Sequence, residues 1–257
     1  MNISLEGKTA LICGSTQGIG LATAQLMAEQ GAHCILLARN EEKLQTAVNS
    51  LSGNGHAYLV ADFAQPTGLR EVLKKELNEP VHILVNNTGG PAGGPIIDAD
   101  PDQFLSAFQQ HLICNHLLVQ HLWKGMEAEA YGRIINVIST SVKQPLPGLG
   151  VSNTIRGAVA NWSKTLANEL GPRNITVNNV LPGATATGRL TEIIQHKARK
   201  TNQDEEAVKT AMEQAVPLKR VGEPHEVAQA IVFLASPAAA YINGINVPVD
   251  GGRTACL

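Results

Sequence analysis

Aromatic residues make up only 4% of this 257-residue chain, and no apolar run is long enough to cross a bilayer. The amino terminus has no basic region followed by a long apolar stretch, so neither export nor membrane anchoring is expected and the chain is read as cytoplasmic. An excess of either charge is missing too. Twenty Lys and Arg stand against 22 Asp and Glu, a formal net charge of −2, which leaves nothing to attract a nucleic-acid backbone. The four cysteines, Cys13, Cys34, Cys114 and Cys256, have no CxxC spacing, and two of them fall inside apolar runs. They are read as free thiols in a reducing compartment.

What is present is a rhythm. Short apolar runs (TALIC, HCILLA, HAYLVA, VHILVNN, RIINVIS, ITVNNVL, GINVPV) alternate with helix-length segments, one of which runs from Pro101 to about Glu129. Strands without polar alternation, separated by helices, predict an α/β fold: a doubly wound, Rossmann-type parallel sheet with helices on both faces. The length suits one domain over residues 1–257, and Pro248 places the last strand at the sheet edge. Residues 183–219 are rich in charge and poor in strand formers. Two roles fit them: a helical lid over a ligand crevice, or a surface hairpin without a gating role.

Between the first strand and the first helix lies Gly14-Ser15-Thr16-Gln17-Gly18-Ile19-Gly20. Glycines at this junction permit a tight turn and close approach of backbone to a pyrophosphate, which the helix N-terminus then attracts. The second strand ends in Ala38-Arg39-Asn40, with no carboxylate for a ribose 2′-hydroxyl and with an arginine suited to a 2′-phosphate. NADP(H) is therefore expected over NAD(H); the alternative is that Arg39 is an ordinary solvated loop charge. Asp62 follows the third strand, where it can meet an adenine amino group or act as a cap.

With these residues in place, the chain resembles the short-chain dehydrogenase/reductase family over essentially its whole length. Residues 13–20 are similar to the family's TGxxxGIG, with Cys13 in place of Thr. Asn86-Asn87-Thr88-Gly89 resembles NNAG, Leu181-Pro182-Gly183 with Thr187 resembles the PGxxxT segment, and Val249-Asp250-Gly251-Gly252 matches the usual ending. The resemblance implies cofactor contacts from Asn87, Gly89, Pro182, Gly183, Thr185 and Thr187. It also implies a catalytic Ser at Ser139, and there the pattern breaks. The family's Tyr position falls on Ser152, its Lys position on Arg156 and its Asn position on His111. The chain's three tyrosines, Tyr58, Tyr131 and Tyr241, all lie outside residues 139–170, so no shift of register restores one.

A serine hydroxyl is a far weaker acid than a phenol, and an arginine can bind ribose hydroxyls without giving up its proton. His111 is either a proton carrier or a neutral buried stand-in for the Asn amide. His111, His116 and His121 recur every five residues, on different faces of a helix, so no metal is expected. Ser139 is read as orienting a carbonyl oxygen; Ser141 and Lys143 follow it. Two functions are carried forward. One is an NADP(H)-dependent oxidoreductase acting on a small-molecule carbonyl, including a 3-oxoacyl group, or on an alcohol, with a rebuilt proton route. The other is an NADP(H)-binding sensor or scaffold. The resemblance implies a homo-tetramer.

Overall fold

The computed structural model describes residues 1–256. Seven strands, β1 (Thr9–Cys13), β2 (His33–Ala38), β3 (Ala57–Val60), β4 (Ile83–Asn86), β5 (Gly132–Val137), β6 (Ile175–Pro182) and β7 (Asn246–Val249), form one parallel sheet in the order β3-β2-β1-β4-β5-β6-β7. The helices between them are α1 (Gly18–Glu29), α2 (Glu41–Asn49), α3 (Pro66–Glu76), α4 (Pro101–Phe108), α5 (Cys114–Ala128), α6 (Gly150–Leu170), α7 (Gly188–Thr201), α8 (Glu205–Gln214) and α9 (Pro224–Ala235).

Successive strand residues point to opposite faces, and both faces are apolar. Ala10 and Ile12 of β1 pack with α1, α2 and α9; Leu11 and Cys13 pack with α3, α5 and α6. The strand order reverses between β2-β1 and β4, which opens a crevice at the carboxyl ends of β1 and β4, the usual ligand position in such sheets. β7 is an edge strand, as its proline requires.

The stretch from Pro101 to Ala128 is helical throughout but not uniform. A π turn, Gln109–Ile113, separates α4 from α5 and carries His111. Such turns insert one residue and re-aim the side chains around it. Residues 183–219 hold two helices, α7 and α8, divided where Asn202 takes a left-handed conformation at φ 51°. They close over a small core of their own: Leu190, Ile194, Ala198 and Val208.

A row of amides crosses four strands inside the sheet. Asn86 Nδ2 donates to Asn136 Oδ1 at 2.8 Å, Asn136 Nδ2 to Asn179 Oδ1 at 3.0 Å, and Asn179 Nδ2 to Asn246 Oδ1 at 2.8 Å. These residues are register partners in β4, β5, β6 and β7. Ser163 of α6 accepts a further bond from Asn136 at 3.3 Å.

Candidate active site

The turn after β1 is shaped by side chains that are missing. Gly14 has φ +58°, and a Cβ there would run into the backbone oxygen of Asn87; a Cβ at Gly20 would run into that of Gly14. Asn87 ties the two loops together, its Nδ2 donating to the carbonyls of Cys13 at 3.3 Å and Gly14 at 3.2 Å. The first turn of α1 has neither a side-chain cap nor an acidic residue, so its N–H groups stay available. The hydroxyl of Ser15 is fully buried and has no partner. A cradle that admits only backbone, with free N–H groups and an orphaned hydroxyl, fits a dinucleotide pyrophosphate.

The carboxyl end of β6 folds over this turn. Gly183 N donates to Val249 O at 2.9 Å, and a Cβ on Gly183 would strike Asp250. Thr185 is buried and donates to Gly183 O at 3.2 Å, while Thr187 donates to Thr185 O at 3.3 Å. Thr187 reaches the glycine turn itself: a Cβ on Gly18 would come 3.1 Å from its Cγ2. Residues 14–20, 87 and 182–187 are thus brought to one crevice. On its β2 side, Arg39 is exposed and makes no hydrogen bond, whereas Asn40 caps α2 by accepting from Lys43 N at 2.8 Å. Asp62 accepts from Ala64 N at 2.9 Å, closing a short turn ahead of α3, whose N-cap position is Gln65. Gly89 is exposed in the loop after β4.

The four residues expected from the sequence to be catalytic differ in how far the protein already engages them. Ser139 caps the short turn Thr140–Val142, its oxygen accepting from Ser141 N at 3.1 Å, which leaves its O–H free to donate. Ser152, in the first turn of α6, is half-buried and makes no hydrogen bond. Arg156 is buried one turn later and donates to Val137 O at 3.0 Å and Thr88 O at 3.3 Å. His111 Nδ1 and Thr88 Oγ1 share a bond of 2.6 Å. Burial, together with the charge of Arg156, pushes the His111 imidazole down to about 2, so the ring is neutral near pH 7.

The tyrosines lie elsewhere. Tyr58 donates to Glu41 at 3.1 Å, Tyr131 precedes β5 and donates to Ala235 O at 2.7 Å, and Tyr241 is exposed. His116 and His121 turn to partners of their own, Trp162 Nε1 at 3.4 Å and Leu77 O at 3.2 Å. Among the described residues, no group of three or more His, Cys, Asp or Glu side chains is placed to hold a metal ion.

Two hollows flank this region. One of about 380 Å³ has Pro91, Ala92, Asp100, Asp102, Gln110 and His111 among its lining residues. The other, about 450 Å³, lies between Ile96, Ser141, Pro145, Leu146 and Thr154. Its wall is fixed by Asn153, which donates to Leu146 O at 2.9 Å and accepts from Leu146 N at 3.4 Å.

The family model described as enoyl-(acyl carrier protein) reductase matches residues 14–254. The chain is 35% identical to the 3-oxoacyl-[acyl-carrier-protein] reductase FabG of Vibrio cholerae, over 97% of this chain and 98% of that protein. It is 33% identical to dehydrogenase/reductase SDR family member 4 of Sus scrofa, over 98% and 89%. The crystal structure of L-sorbose reductase from Gluconobacter frateurii, complexed with NADPH and L-sorbose, superposes with a TM-score of 0.92 at 32% identity and covers both chains fully.

Proposed function

The chain belongs to the short-chain dehydrogenase/reductase family, a family of oxidoreductases, and from that premise we propose that it is an NADP(H)-dependent oxidoreductase reducing a carbonyl with a non-standard proton donor. The observation that carries this reading is the segment from Gly183 to Thr187, folded onto the glycine turn. A protein needing only the adenine half of the cofactor has no use for that contact. The relatives act on carbonyl chemistry by name, a 3-oxoacyl group and a sugar ketone, and both kinds of substrate are candidates here.

In this reading Gly14, Ser15, Thr16, Gln17, Gly18, Ile19 and Gly20 hold the pyrophosphate against the N-terminus of α1. Arg39 pairs with the 2′-phosphate, Asp62 meets the adenine, and Asn87, Gly89, Pro182, Gly183, Thr185 and Thr187 line the nicotinamide half. When bound, NADPH supplies the hydride. The free O–H of Ser139 holds the carbonyl oxygen, and Ser152 with a water delivers the proton. Arg156 keeps its charge at neutral pH and presents it to the substrate. The two helices α7 and α8 act as a lid, which their separate small core supports. A homo-tetramer in the cytoplasm completes the reading. The exposed Leu105 and Phe108 on α4, the exposed Ile245 beside β7, and the free cysteines support it.

One observation favours a second reading, an NADP(H) sensor. Arg156 is committed to two backbone carbonyls, and the family's Tyr and Lys positions hold neither residue. Stopped-flow single turnovers of NADPH with a panel of ketones and 3-oxoacyl thioesters separate the two. A slow hydride transfer is expected; tight NADPH binding with no transfer to any substrate would favour the sensor.

A further inference from the structure

Arg156 is a buried cation that lacks a counter-charge. Arg133, buried to the same degree, lays its guanidinium over the Tyr131 ring at 4.1 Å. Arg156 has neither such a ring nor, among the described residues, a carboxylate partner. Two of its N–H groups go to the carbonyls of Val137 and Thr88, and its Nε makes no hydrogen bond.

The charge that Arg156 does feel is of its own sign. Arg189, the second residue of α7, reaches across to the loop after β4, its Nη2 donating to Pro91 O at 2.6 Å. Gly90, the residue before, is Arg156's neighbour: a Cβ there would stand 3.8 Å from Arg156 Nη2. Two guanidinium groups are therefore anchored on one loop, Arg156 on Thr88 and Arg189 on Pro91. Among the described residues Arg189's only acidic partner is Glu192 at 3.2 Å, an exposed pair within one helix and so well screened by solvent. Burial first, and Arg189 second, push Arg156 down to about 10.

Like charges held this way raise the free energy of the empty site, and an anion placed between them lowers it. The planar fork of a guanidinium matches the two oxygens of a carboxylate. We infer that the substrate carries a carboxylate, bound by Arg156 and Arg189 above the Gly90–Pro91 loop, so that the carbonyl compound reduced here is an oxo acid. This rests on the proposed oxidoreductase function. The cofactor's pyrophosphate is the other anion of suitable chemistry, but the glycine turn already provides for it.

The test reads affinity and not turnover. NADPH-loaded protein is titrated calorimetrically with lactate, 3-hydroxybutyrate and 4-hydroxybutyrate, each against its neutral methyl ester; NADPH cannot reduce these alcohols, so the complexes are stable. At least one acid is expected to bind about tenfold or more tightly than its ester, as a charge-assisted pair would give. Arg189→Gln should abolish that preference, Arg189→Lys should keep part of it, and both should bind NADPH as the wild type does. Equal binding of every acid and its ester overturns the inference. So does an Arg189→Gln variant that loses NADPH affinity while keeping the acid preference, since Arg189 would then serve the pyrophosphate. A wild type that fails to bind NADPH overturns the proposed function instead. The titration without cofactor then decides the arginine pair by the same comparison.

Discussion

The glycine turn after β1 and the amino-terminal half of α6 serve the same end of one sheet, yet their polar groups are committed differently. At the turn, side chains are absent where backbone must come close, and the donors that remain are free: the first N–H groups of α1 and the Ser15 hydroxyl. Around α6 the polar groups are partly committed to the protein. Arg156 donates to Val137 O and Thr88 O with its Nε left over, His111 shares a bond with Thr88, and Ser139 accepts from Ser141 N while its O–H stays free. Free donors suit a ligand still to come, while bonded donors keep a shape. On the proposed function, binding and proton transfer are then separable, and a change to one half need not disturb the other.

The largest test of that separation restores the family's residues. If the cradle is complete and only the proton donor is weak, Ser152→Tyr with Arg156→Lys should raise NADPH-dependent carbonyl reduction by about 10²–10⁴-fold. Each single change should do less, because the lysine acts partly by tuning the phenol. A fast wild type slowed by the double change would break the comparison, since the present residues would then form a working mechanism. On the binding side, Gly20→Ala drives a Cβ into the Gly14 carbonyl and should cost about 1–3 kcal/mol of stability along with NADPH affinity. Gly188→Ala meets no atom nearby and is the control for both calorimetric readings.

A smaller effect concerns pH. His111 is depressed to about 2 in the folded state against an ordinary value of 6.5, so between these values the unfolded chain binds the extra proton. Stability is then lost as pH falls below 6.5, by about 1 kcal/mol at one pH unit lower. His111→Asn should flatten this acid limb in urea titrations at pH 5.5 and 7.5, leaving the slope from His82, which is shifted in the same direction. An unchanged limb would mean that His111 is not held neutral. Smallest is Arg39→Ala, which should weaken NADPH about tenfold or less and leave NADH and the melting temperature unaltered. Equal loss for both nucleotides would remove Arg39 from the 2′-phosphate.

The cradle was legible in the sequence because steric need leaves a residue type behind: only glycine fits Gly14 and Gly20, and only an edge strand tolerates Pro248. The strands were legible for a similar reason, burial on both faces. What escaped was pairwise. Arg156 and Thr88 are 68 residues apart and His111 and Thr88 are 23 apart, so the unusual residues stood out singly but their common partner did not. The reading of Pro101 to Glu129 as one helix was right in length but missed the π turn, which has no composition signal of its own. Arg189 was likewise passed over as one more charge on a polar helix, because its bond to Pro91 spans 98 residues.

The row of amides from Asn86 to Asn246 bears on how the chain finds this arrangement at all. A parallel sheet is assembled from distant segments, slowly, and a flat apolar strand can pair with its neighbour one or two residues out of step. If β5 slid by a single residue, Ile135 or Val137 would stand where Asn136 belongs, and Asn86 Nδ2 and Asn179 Oδ1 would be buried without partners, at about 1–3 kcal/mol each. β7 depends on this most. It has four residues, one of them a proline with no N–H, so its backbone alone discriminates poorly between registers, and Asn246 supplies what the ladder cannot. Correct placement of β7 also sets Asp250 against Gly183, at the rim of the cradle. In-step pairing of β7 and completion of the cradle's rim are thus linked.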